Sequence, residues 1–220
     1  MSIFVLDLDG IVQDPEDPHA KLIKDVSRIV RKPYEELFDH YARQFRDNDT
    51  EEMYHLSLCN TKEQKGEVRV RWSQLHENMD KAKPIPAAKE LLEVLRSQGH
   101  QIYAFTKGKV EIQKRRLRRN GISEFFPQIV YSARKGTREG FERDLLPELP
   151  KGKPIVVVGD SFYQDIEPAL SRENISCVWI RWPDSDEPVP EISDDDHANL
   201  RIVKSTQELA NLVKKGAFDG

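Results

Sequence analysis

Along the chain, short runs of Val, Ile, Leu and Phe alternate with longer stretches in which apolar residues recur every three or four positions. The short runs are "IFVLDL" (3–8), "QIYAFT" (101–106), "QIVYS" (128–132), "PIVVVGD" (154–160) and "SCVWIRW" (176–182), with "LRIV" (200–203) a weaker sixth. Each is apolar on both faces, which predicts central strands of a parallel sheet covered by helices. "PAAKELLEVLRSQGH" carries Ala88, Leu91, Leu92 and Leu95 at helical spacing, with Pro86 at the start and Gly99 at the stop. "VEIQKRRLRRNG", "DIEPALSREN" and "STQELANLVKKG" complete the alternation. The fold class this predicts is α/β, a doubly wound parallel sheet. Such sheets bind ligands beyond the carboxyl ends of their strands.

One stretch breaks the rhythm. From about Pro15 to Lys83 the pattern is wholly helical: Leu22, Ile23, Val26, Ile29 and Val30 form one stripe, and Pro33 opens a second helix bearing Tyr34, Leu37, Phe38, Tyr41 and Phe45. Thr61 and Gln64 fit a capping box before a last stripe of Val68, Trp72, Leu75 and Met79. A block with its own apolar faces predicts an all-helical subdomain over residues 15–83, inserted into an α/β core of residues 1–14 and 84–220. The hinges fall in "QDPEDPH" and "KAKPIP".

Composition narrows the function classes. At 220 residues and 38% hydrophobic content, the chain can bury a substantial core. A formal net charge of −4 gives it no overall electrostatic reason to seek nucleic acid or an anionic membrane. Two cysteines, Cys59 and Cys177, and six scattered histidines build no disulfide framework or zinc site, so a reducing cytoplasmic setting is expected. No signal peptide or transmembrane span is expected either.

The polar residues at the strand ends carry the chemistry. The first strand runs into Asp7-Leu8-Asp9-Gly10, and the second ends with Thr106-Lys107-Gly108. Lys135 stands past the third, and the fourth ends with Gly159-Asp160-Ser161 followed by Asp165. In a parallel sheet all of these meet at one edge. Buried carboxylates are costly unless paired or bound to metal. A divalent cation and a lysine would neutralise them.

In the order "DLDG" (7–10), Thr106, a downstream lysine and "GDSFYQD" (159–165), the sequence resembles the phosphatase branch of the haloacid dehalogenase superfamily. The helical insert stands where that superfamily carries a cap. The resemblance implies a Rossmann-like core and a Mg²⁺-dependent phosphatase acting on a small soluble phosphomonoester, with no nucleic-acid or membrane partner. It implies Asp7 as nucleophile, forming an aspartyl-phosphate, and Asp9 as general acid and base. Thr106 would hold the phosphoryl oxygens, with Gly10, Lys107 and Gly108 beside it on the substrate. Lys135 would steady Asp7, with Lys107 and Lys109 as rival candidates for the motif lysine. The metal ligands implied are Asp7, Asp160 and the Asp9 carbonyl, with Asp165 supporting the shell. Candidate cap contacts are Arg43, Arg46, Arg69, Arg71 and Trp72.

Two other enzymatic or binding readings use similar residues. A 2-haloacid dehalogenase attacks carbon without metal, and Asp9 with the acid pair at 160 and 165 argues against it. A phospho-receiver, or a catalytically silent binding protein built like one, also gathers acids, a threonine and a lysine. The acidic cluster after the lysine and the large insert argue against that. "KRRLRRN" (114–120) reads as a solvated helix face, and "PDSDEPVPEISDDDH" (183–197) as a mobile surface loop.

Overall fold

The computed structural model describes residues 1–12, 18–37, 48–81, 83–107, 110–183, 185, 187, 189–192 and 198–218. The elements run β1 (Ile3–Leu6), α1 (Pro18–Val30), α2 (Asn48–Ser57), α3 (Lys62–Lys81), α4 (Pro86–Ser97), β2 (Gln101–Thr106) and α5 (Val110–Arg119). They continue with β3 (Gln128–Tyr131), β4 (Ile155–Gly159), β5 (Ile175–Ile180), β6 (Leu200–Val203) and α6 (Thr206–Lys214). The chain divides into two compact units, Met1–Pro15 with Lys83–Gly220, and Glu16–Ala82.

In the first unit the described strands form one sheet in the order β3-β2-β1-β4-β5-β6, every pairing parallel. Leu6 of β1 lies opposite Ala104 on one side and Val158 on the other. The chain builds outward from β1 to β3, then returns to lay β4, β5 and β6 on the opposite flank. That reversal opens a crevice past the carboxyl ends of β1 and β4. The expected α/β fold is therefore the observed one.

Strand alternation feeds two cores. Phe4, Leu6, Ile102, Ala104, Val156 and Val158 pack with Leu91, Leu92 and Leu95 of α4, Leu117 of α5 and Leu209 and Val213 of α6. Ile3, Val5, Tyr103, Phe105, Val157 and Trp179 face the other way, onto Phe141, Leu145, Phe162 and Ile166. Burying a side chain of this size contributes about 1.5–3 kcal/mol. Removing either covering layer would expose the apolar strand face beneath it.

Two stretches differ from expectation. "DIEPALSREN" forms no full helix. A short helical turn, Phe162–Ile166, starts earlier, with Ser161 accepting from Gln164 N–H at its head. Pro168 lacks the N–H that a continuing helix needs, and its ring crowds the turn before it. Between β3 and β4, helical turns at Arg138–Gly140, Phe141–Leu145 and Leu146–Glu148 cover the sheet. Gly140 and Pro147 break the periodicity there, so no helical signal survived in the sequence.

In the second unit Leu22, Ile23, Val26 and Val30 of α1 bury against Val68, Trp72 and Leu75 of α3. The capping box forms as expected: Gln64 N–H donates to Thr61 Oγ1 at 3.2 Å, and Thr61 N–H to Gln64 Oε1 at 3.2 Å. Residues 34–37 are helical. Phe38, Tyr41 and Phe45 lie outside the described residues, as does the side chain of Met79. Among the described residues, no helix is long and apolar enough to cross a membrane.

Candidate active site

β1 delivers Asp7 into the crevice while still tied to β4, since Asp7 N–H donates to the Val158 carbonyl at 2.9 Å. One Asp7 oxygen, Oδ1, accepts from Leu8 N–H at 2.8 Å. The chain then turns at Gly10, whose φ of +76° suits glycine. Its carbonyl accepts from Trp182 Nε1 at 3.1 Å, and the Ile11 carbonyl from Thr206 Oγ1 at 3.2 Å. These bonds fix the loop after β1 from the chain just beyond β5 and from α6.

β4 ends in an equally tight turn. Asp165 N–H donates to the Ser161 carbonyl at 3.0 Å, and Ser161 N–H to Asp165 Oδ2 at 3.1 Å. A Cβ on Gly159 would stand 2.1 Å from that of Asp165, so the close approach requires glycine. Asp160 is anchored through its carbonyl, which accepts from Trp179 Nε1 at 3.0 Å.

Lys135 reaches in from the loop after β3. Its Nζ lies 2.6 Å from Asp7 Oδ1 and 2.7 Å from Asp165 Oδ1, with side-chain exposures of 5%, 13% and 3% for the three residues. Burial works against the ammonium, but Asp165 and Asp7 outweigh it and hold its pKa above the usual lysine value. Burial also pushes the Asp7 carboxyl up to about 7, with Lys135 pulling it down and Asp165 and Asp9 adding to the rise. Side-chain oxygens of Asp7, Asp160 and Asp165 all lie within 4.8 Å of one another. Three carboxylates facing one ammonium leave excess negative charge, and an all-oxygen donor set suits a hard divalent cation. The residues present therefore fit magnesium. Asp165, with one oxygen on Lys135 and the other on Ser161, is already engaged as a support.

Beside this cluster stands a second one. Asp9 Oδ1 pairs with Arg116 Nη2 at 3.0 Å, and Gln113 Nε2 donates to Asp9 Oδ2 at 3.4 Å and to Thr106 Oγ1 at 3.3 Å. Thr106, the last residue of β2, is buried. Lys107 follows it, half-buried, while Gly108 and Lys109 lie outside the described residues.

Some expectations need correction. "KRRLRRN" is not wholly solvated: Arg115, Arg118 and Arg119 are exposed, but Arg116 is buried, because Gln113, Arg116 and Leu117 share the inward face of α5. The 183–197 segment is not simply a surface loop. Glu187 is buried there, accepting from Ser161 Oγ at 3.0 Å and Phe162 N–H at 2.9 Å. Burial pushes its carboxyl up to about 7 against those hydrogen bonds. Trp72 is buried in the core of the helical unit and is not a surface contact; Arg69 is exposed, Arg71 lies 3.9 Å from Asp25, and Arg43 and Arg46 lie outside the described residues. Gln113, Arg116 and Glu187 were missed as site residues. The spacing 113, 116, 117 was the available signal for the first two; Glu187 had none.

The sequence model of the haloacid dehalogenase-like hydrolases matches residues 4–180. Comparison with curated proteins gives no match. Among solved structures, the magnesium-bound YfnB protein of Bacillus subtilis is similar, with a TM-score of 0.67 at 19% identity over 96% of this chain and 98% of that one. A haloacid dehalogenase-like hydrolase from Xanthomonas campestris gives 0.67 at 17%, covering 98% and 91%, and a phosphatase of the same family from Thermococcus onnurineus 0.58 at 20%, covering 97% and 98%. At such identities the likeness speaks to the fold. With two-strand crevice, lysine-bridged acids and a matched family pattern together, the chain belongs to the haloacid dehalogenase-like hydrolases.

Proposed function

We propose that this hydrolase is a Mg²⁺-dependent phosphatase that cleaves a small soluble phosphomonoester through an aspartyl-phosphate on Asp7. The observation that carries the reading is the buried bridge from Lys135 to both Asp7 and Asp165 at the crevice where β1 and β4 part. A lysine so placed orients a carboxylate while leaving its second oxygen to react.

The steps follow from the side chains. Asp7 attacks phosphorus and the ester oxygen leaves, taking a proton from Asp9. Thr106 and neighbouring backbone N–H groups hold the phosphoryl oxygens, with Gly10, Lys107 and Gly108 beside them on the substrate. Asp9 then removes a proton from the water that attacks phosphorus and hydrolyses the acyl phosphate on Asp7, restoring the free carboxylate. Lys135 keeps Asp7 in register throughout. Magnesium, held by Asp7, Asp160 and the Asp9 carbonyl with Asp165 in support, would supply charge neutralisation between carboxylate and phosphate. The helical unit, inserted between the first and second motifs, is proposed to select the rest of the substrate, with Arg69 and Arg71 as candidate contacts.

The test is a phosphate-release screen over sugar phosphates, nucleotides and phosphoglycolate, with Mg²⁺ and with chelator. Metal-dependent release that Asp7→Asn abolishes, in a variant that still folds, supports the proposal. Full activity in Asp7→Asn removes the nucleophile, and halide release from a chloro-acid indifferent to chelator points to dehalogenation instead.

A further inference from the structure

We propose that Arg116 and Gln113 are positioning residues for Asp9, a role that rests on the phosphatase reading above. The geometry points to it directly. Both oxygens of Asp9 are taken from the same side: Arg116 Nη2 at 3.0 Å from Oδ1, and Gln113 Nε2 at 3.4 Å from Oδ2. Arg116 Nη1 in turn donates to Gln113 Oε1 at 3.3 Å, and Gln113 reaches Thr106 Oγ1 at 3.3 Å. One helix face therefore links the proton-transfer carboxylate to the hydroxyl proposed to hold the phosphoryl group.

Stability alone does not account for this arginine. Its side chain is 5% exposed, whereas Asp9 is 38% exposed. Its Nε is buried with no hydrogen-bond partner among the described residues. Desolvating a guanidinium costs several kcal/mol, and an apolar residue of similar size is often neutral or better for folding at such a position. The arginines beside it, Arg115, Arg118 and Arg119, all reach solvent. What Arg116 gains inward is a planar fork whose two outer nitrogens engage Asp9 and Gln113 at once, a geometry lysine lacks. The effect is to hold the Asp9 carboxyl group at one setting, which matters because handing its proton over demands hydrogen-bond reach to the departing oxygen.

Leaving-group chemistry separates this role from a purely structural one. The ratio kcat/KM reports steps up to alcohol release, where Asp9 gives its proton. 4-Nitrophenyl phosphate releases a weakly basic 4-nitrophenolate with little need of that proton, while the more basic phenolate of phenyl phosphate, an ester of similar size, needs it. The experiment measures kcat/KM for both esters in wild type, Arg116→Met, Arg116→Lys and Gln113→Leu, with Mg²⁺ present. In Arg116→Met the loss on phenyl phosphate is expected to exceed that on 4-nitrophenyl phosphate at least tenfold. Arg116→Lys should recover part of the difference, and Gln113→Leu should show a smaller one. If Arg116→Met does not fold, the other two variants carry the same comparison. Equal losses on the two esters, or no loss, in the variants that fold overturn the positioning role while leaving the phosphatase reading intact. Wild type that hydrolyses neither ester, nor any phosphomonoester in the screen, overturns both.

Discussion

A methyl group placed on Gly10 would stand 1.9 Å from Oδ2 of Asp160. The first and fourth strands thus meet so closely that the loop after one leaves room for the acid after the other only by lacking a side chain. Gly10→Ala adds this clash to the left-handed strain of a φ of +76°, which alone costs roughly 1–2 kcal/mol. Phosphate release is expected to fall more than about a hundredfold, a displacement of about 1 Å being enough for that. Gly121→Ala has φ +66° and nothing within 4 Å; it should lower the melting temperature while activity stays near wild type.

Removing Lys135 leaves Asp7 and Asp165 buried and facing one another without their ammonium. Lys135→Met is expected to abolish activity and to cost on the order of 3 kcal/mol at neutral pH. The deficit should shrink as pH falls below neutral, where the Asp7 carboxyl, already raised to about 7 by burial, takes up a proton and the repulsion weakens. Urea unfolding at a series of pH values reads this out. A deficit independent of pH would mean that lost packing, and not stranded charge, is the cause.

Glu187 gives the apoprotein a pH dependence of defined sign. Its folded carboxyl is raised from 4.5 to about 7 by burial. Between those values the folded state keeps a proton that the unfolded state has released, so stability falls as pH rises and levels off above about 7. Asp7, also raised to about 7, acts in the same direction. Glu187→Gln removes the first contribution alone. In chelator, the stability of wild type relative to this variant should drop by about 2–3 kcal/mol between pH 4.5 and 8. Equal slopes for the two proteins in calorimetry would contradict this.

Magnesium should stabilise the folded chain by mass action. At a hundred times its dissociation constant the gain is about 2.7 kcal/mol, or a melting-point rise on the order of 5–10 °C. Asp160→Asn removes one of the three clustered carboxylates and is expected to erase most of that rise. Calorimetry with and without Mg²⁺ checks it, independently of turnover.

Local pattern was enough for the scaffold. Apolar runs of strand length, Pro86 and Gly99 around α4, and the Thr61–Gln64 box each act over a few residues, so the strands from "IFVLDL" through "LRIV" and the helices α1, α3, α4 and α5 were legible in order. The same order put Asp7, Thr106, Lys135 and Asp160 at strand ends, and parallel pairing then leaves them one edge to share. Helical turns broken by Gly140, Pro147 and Pro168 carry no clean period and were lost or misplaced.

Other features depended on contacts between residues far apart in the chain. In "KRRLRRN" all four arginines look alike; only the packing of α5 on the sheet turns Arg116 inward to Asp9, more than a hundred positions earlier. Glu187 sits among prolines and acids that read as solvent-facing, yet the turn after β4 offers it an N–H and a hydroxyl. Sequence by itself determined which chemical groups this protein has and at which strand ends they stand. Tertiary structure decided which of them touch and which are buried, because desolvation and pairing depend on neighbours that no local spacing encodes.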